Sequence, residues 1–209
     1  MEMQKIREKS MKAAQALGYP ANESLPLLDE VEQVRGVSES IGRLLCLYAI
    51  VATSYGFPKE KAKKWLVREE LDGFLSKSEE AYLEVPSNGG GDPSNQWKVE
   101  SLWALAWCLG IHPTLDFSDS CSDSFIQMLP DIAKDTATGS FRSGLQLRDK
   151  AEIAAKTDLA YCLHWAVRDA EIAGQKIPGK VPGNVVVGRR RALEWMIGQD
   201  PWDEVTMDT

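Results

Sequence analysis

Apolar positions along this chain recur mostly at helical spacing, and the strict alternation of a half-buried strand is almost absent. The densest stretch, residues 97–110, reads W-K-V-E-S-L-W-A-L-A-W-C-L-G. At about 100° per residue, Glu100, Trp103 and Trp107 share one face and Leu102, Leu105 and Leu109 the opposite one. A helix apolar on both sides, but too short to span a bilayer, belongs in the middle of a core. A second such stretch, I-G-R-L-L-C-L-Y-A-I-V-A-T-S-Y, carries Arg43 as its only charge. Two core-like helices therefore each hold one charge of opposite sign, and each charge needs a partner if buried.

The rest of the pattern predicts an all-α, irregular multi-helical single domain over 1–209, with about eight to ten helices in all. Its organising helix is 95–109, buried and Trp-rich, flanked by helices 39–55, 158–173 and 185–197. Gly18 and Pro20 end an N-terminal helix over 1–18. Pro26 keeps the next segment extended, and Pro58 opens a helix with Trp65 and Leu66 inward. Ser76 and Glu79 have capping-box spacing, while Ser38 and Ser94 can cap the helices that follow them. A short helix is expected near 125–132 and another over 145–155, with Thr157 beginning the next. Residues 84–95, with G-G-G at 89–91, read as an exposed hinge, and 111–122 as a long loop. T-A-T-G-S-F-R-S-G is a further loop.

Charge and composition narrow the function. With 24 basic and 31 acidic residues, net −7, a nucleic-acid surface is not expected, because phosphate binding needs concentrated positive charge. The arginine run 189–191 is a local exception, but Arg190 has Glu194 within i,i+4 reach, which gives the run a structural, solvated role. Four dispersed cysteines read as reduced core residues. No signal-like apolar run opens the chain and no later run reaches membrane-span length, so neither secretion nor membrane insertion is expected and the setting is cytoplasmic.

Six features in this order resemble the DUF4272 family, whose function is unknown: the lone-charge helix around Arg43, W-x-x-E-x-L-W-A-L-x-W-x-L-G from Trp97, L-x-x-x-x-H-W-A-V-R-D-A around His164, R-R-A-L-E-W at 190–195, W-D-x-V at 202–205, and D-T at 208–209. The resemblance covers roughly 35–209, with the N-terminal helix packed on or appended to it. It carries over no catalytic residue. It stresses positions, among them Asp203 and Asp208 as a candidate tail site.

The best polar constellation is Arg43, Glu100, His164 and Arg168. Two arginines and a histidine could hold an anionic ligand, with Glu100 orienting one of them. The favoured reading of the same residues is a satisfied buried network, with Arg43 as the partner of Glu100, because spacing alone shows no convergence on an open cavity. Trp103, Trp107, Trp165, Trp195 and Trp202 either wall a pocket or fill the core, and Trp202 pins the tail. Cys162 and His164 point to different sides of a helix, so no cysteine hydrolase is expected. Two histidines without paired cysteines make no zinc site, and G-G-G lacks the Lys-Ser/Thr of a phosphate loop. No metal or cofactor is expected. The favoured function is a non-enzymatic protein-binding domain of immunity or adaptor type, using acidic loops or the tail. The alternative is a small-molecule-binding domain or enzyme acting on an anionic ligand through the Arg/Glu/His cluster.

Overall fold

A computed structural model describes residues 3–86 and 91–209, and every regular element among them is helical. The α-helices are α1 (Met3–Ala16), α2 (Val37–Ser54), α3 (Lys59–Arg68), α4 (Lys77–Glu84), α5 (Pro93–Gln96), α6 (Val99–Cys108), α7 (Gly139–Ser143), α8 (Lys150–Ile172) and α9 (Gly183–Ile197). Short 3-10 turns stand at Asp72–Phe74, Phe125–Met128, Ile132–Lys134 and Trp202–Glu204. The centre of the expected hinge, at 87–90, lies outside the described residues.

The apolar stretches become the core, as their pattern requires. α6 packs between α2 and α9, α9 packs on α8, and α8 carries α1 on its outer side. α2 is 18 residues long with 78% of it buried. By length and composition it could cross a membrane, which corrects the expectation that no run reaches that length; here its apolar surface is covered by other helices. The α6–α9 crossing is close because Gly188 has no side chain. A Cβ there would stand 3.0 Å from the Cβ of Glu100, and the Ser101 hydroxyl donates to the Gly188 carbonyl at 2.7 Å.

Local chemistry moves several boundaries. The expected 95–109 helix is divided, because Asp92 accepts from the Ser94 N–H and Pro93 occupies the first helical position, so the short α5 starts ahead of α6. α2 starts beyond Gly36, which leaves Ser38 inside the helix rather than at its cap. Thr157 does not start a helix either. Its hydroxyl donates to the Ile153 carbonyl at 2.9 Å from within α8, which Asp149 caps through the Ala151 N–H, so two expected helices are one of 23 residues. α7 occupies part of an expected loop. The Ser76–Glu79 capping box is present in full. Gly110 (φ +73) and Gly174 (φ +64) end α6 and α8 in the left-handed conformation that suits glycine.

Candidate functional site

The charged groups of the core helices fall into separate pairs, each built on an arginine. The Glu100 Oε2 receives Arg189 Nε at 2.8 Å and Nη2 at 2.7 Å, while its Oε1 receives the Cys121 N–H at 2.9 Å. Glu100 and Arg189 are 3% and 1% exposed. Arg43 pairs instead with Glu79, which is wholly buried and also takes the Ser76 N–H at 3.1 Å. Arg7 holds Asp158 in a third buried pair, at 2.7 Å.

Each of these arginines has a second task. A guanidinium carries five N–H donors, more than one carboxylate can use, and the surplus goes to main-chain carbonyls of irregular segments. Arg7 donates to Leu25 and Pro26 carbonyls, both at 2.8 Å, which fixes the extended segment after α1. Arg43 donates to the Phe74 carbonyl at 3.0 Å. Arg189 donates to the carbonyls of Asp116 and Asp119, tying down the long loop after α6. Arg190 reaches the carbonyls of Met207 (3.3 Å) and Asp208 (2.7 Å), and Arg35 those of Trp195 (2.7 Å) and Asp200 (2.6 Å), so the tail is held at both ends. Carbonyls left without a partner at helix ends and in irregular segments need donors, and these arginines supply them.

The proposed constellation is therefore not assembled. Arg43 and Glu100 belong to different ion pairs, and Arg168 is exposed on the outside of α8 with Glu171 at 2.6 Å. His164 is buried against Arg190, whose Nη1 stands 2.5 Å from its Nδ1. A guanidinium N–H can only donate, so Nδ1 is an acceptor and the ring is neutral. Burial first, then the charges of Arg190 and Arg168, push its pKa down to about 4. That imidazole is a weak base with its Nδ1 already engaged. The arginine run is also corrected: Arg189 and Arg190 are buried rather than solvated, and the expected Arg190–Glu194 pair is present at 3.0 Å beside them.

The tryptophans divide by depth. Trp65, Trp107, Trp195 and Trp202 are buried, whereas Trp97, Trp103 and Trp165 are partly exposed. Trp202 meets Trp195 edge-on at 5.8 Å and lies beneath the Arg43 guanidinium. Asp203 takes the Ser78 N–H at 2.9 Å and its hydroxyl at 2.7 Å, which docks the tail on the first turn of α4. Asp208 contributes its carbonyl to Arg190. Both tail residues thus take part in anchoring. His112 stacks on Trp103 at 3.5 Å with carbonyl oxygens facing both ring nitrogens.

Glu79, Arg189, Arg7 and Asp158 were missed as buried charges. Spacing marks two of them: Arg189 falls in the stripe Val185, Ala192, Met196, and Glu79 lies one turn before Leu83. Burial raises all four thiols, Cys46 and Cys121 to about 12 and Cys162 to about 11, so none is a ready nucleophile. Among the described residues no three His, Cys, Asp or Glu side chains are grouped to hold a metal.

Two of the surface concavities have predominantly apolar linings. One is an apolar cleft of about 470 Å³ between the end of α2 and the segment 121–133. The other is a groove of about 690 Å³ between α1 and α8, floored by Trp107.

A family described as a domain of unknown function, DUF4272, matches residues 6–205, and the chain belongs to it. The match takes in most of α1 as well as the whole helical core. No curated protein and no solved structure matches.

Proposed function

We propose that this DUF4272 member is a non-enzymatic, cytoplasmic protein-binding domain of immunity or adaptor type, and that its partner docks in the cleft beside α2. The cleft carries the reading. Val51, Phe57, Phe125 and Ile132 wall it, and Tyr55 and Ile126 stand at it 64% and 43% exposed, so apolar side chains are grouped here and not scattered singly. Asp123 and Asp131 also line it, in a chain of net charge −7. Apolar walls with an acidic edge suit a basic amphipathic helix from the partner, laid with its apolar face inward. The state of the core charges supports the same reading, since Glu100, Arg43 and His164 are engaged in holding the fold.

A fluorescently labelled Leu/Lys amphipathic helical peptide, titrated by anisotropy against the whole chain, tests this. Saturable binding is expected, weakened about tenfold or more by Ile126→Asp and absent for the Leu/Glu version of the peptide, a change of about 1.4 kcal/mol or more. Equal binding by the variant, or by the acidic peptide, would overturn the proposal.

A further inference from the structure

The groove between α1 and α8 differs chemically from the cleft. Its apolar walls include Ile6, Ala13 and Leu159, with the Trp107 indole as floor. The Arg148 guanidinium lies 4.8 Å from that ring and the Lys156 ammonium 5.9 Å. Arg148 is committed to the carbonyls of Trp107 (2.7 Å), His112 (2.8 Å) and Pro113 (3.2 Å). Lys156 is not: within the described residues its half-buried Nζ makes no hydrogen bond or ion pair, and the Ser10 hydroxyl on the facing wall makes none either. Burial and the charges of Arg148 and Arg189 push the Lys156 pKa down, against Asp116.

The lining also fixes how much charge an occupant can carry. Asp116 and Glu152 are both in the wall. Asp116 takes the Ser118 N–H and hydroxyl, each at 2.9 Å, and Glu152 faces Arg148 Nη1 at 3.5 Å. Three cations of the lining, Lys9, Arg148 and Lys156, exceed these two carboxylates by one positive charge, which matches a single negative charge on the occupant and not a multiply charged phosphate. The volume suits a small molecule, and the indole and aliphatic walls suit an apolar body.

We infer that this groove binds a small apolar monocarboxylate, its carboxylate on Lys156 Nζ and Ser10 Oγ and its apolar body against Trp107. The carboxylate supplies the acceptor that the ammonium lacks. The site is separate from the partner cleft and stands or falls independently of it.

The test is a ¹H–¹⁵N NMR titration of the whole chain with 3-phenylpropionate, alongside its uncharged amide 3-phenylpropanamide. Saturable shifts are expected around Trp107 and Lys156 for the acid, with the amide about tenfold weaker, a difference of about 1.4 kcal/mol. Lys156→Gln should weaken the acid by a similar factor, and Lys156→Arg should keep most of the affinity. Lys156 anchors no loop, so neither substitution threatens the fold. Equal affinity for acid and amide, shifts centred on the Ile126 cleft, or no shifts at ~10 mM ligand would each overturn the inference.

Discussion

Arg189 and Lys156 are cations on helices that pack together, and the protein treats them in opposite ways. Arg189 is buried to 1% exposure with its donors taken by Glu100 and by two loop carbonyls. Lys156 is half-buried at a groove and, among the described residues, makes no hydrogen bond or ion pair. Taking a charge out of water costs several kcal/mol, which the Arg189 site returns through close pairing and the Lys156 site does not. A cation whose donor nitrogens are all engaged is part of the architecture. A cation left short of an acceptor, at the wall of a cavity, marks a place where a ligand can supply it.

The largest effect should come from breaking the satisfied side. Glu100→Ala leaves Arg189 charged and buried without its carboxylate, and an expected loss of roughly 3–5 kcal/mol should appear in urea unfolding. A double-mutant cycle sharpens this: Glu100→Ala should couple strongly to Arg189→Ala and add simply with Arg43→Ala, because Arg43 belongs to Glu79. An unchanged midpoint for Glu100→Ala would remove the pair from any stabilising role.

An intermediate effect concerns His164. Its folded pKa of about 4 lies below the ordinary imidazole value of 6.5, so between those limits the unfolded chain binds a proton that the folded chain refuses. Stability should therefore fall as pH drops from about 6.5 to 4, by roughly 3 kcal/mol from this residue. His164→Gln should flatten that part of the pH profile, read as the difference between variant and parent unfolding curves. A parallel pair of profiles would show that Arg190 does not hold the ring neutral.

The smallest effect belongs to the unsatisfied side. Lys156→Met removes the ammonium and keeps the apolar stem, so stability should be unchanged or rise by up to about 1 kcal/mol in the same urea assay. A large loss would mean that Lys156 anchors structure after all.

The sequence made the helices legible and left their charges unmatched. Periodicity located α2, α6, α8 and α9 because each must present an apolar surface at a 3.6-residue repeat. It also singled out Arg43 and Glu100 as needing partners. It could not match them, since Glu79 lies 36 positions from Arg43 and Arg189 lies 89 from Glu100, and no local spacing encodes a contact at such range. Glu79 was further hidden by its visible role in the capping box, which accounts for only one of its contacts. The arginine run misled for a related reason: successive residues on a helix face different directions, so Arg189 and Arg190 enter separate buried sites on α9. The open surfaces were illegible altogether, because a cleft is made by segments such as 51–57 and 121–133 that meet only in the fold.

The arginine clips grip main-chain oxygens, at Leu25, Pro26, Phe74, Asp116, Asp119, Asp200, Met207 and Asp208. Such a grip reads the route of the chain and is indifferent to the side chains it carries. Loops held in this way can exchange their exposed residues while keeping their course, so the surface they display is free to diversify on an unchanged frame.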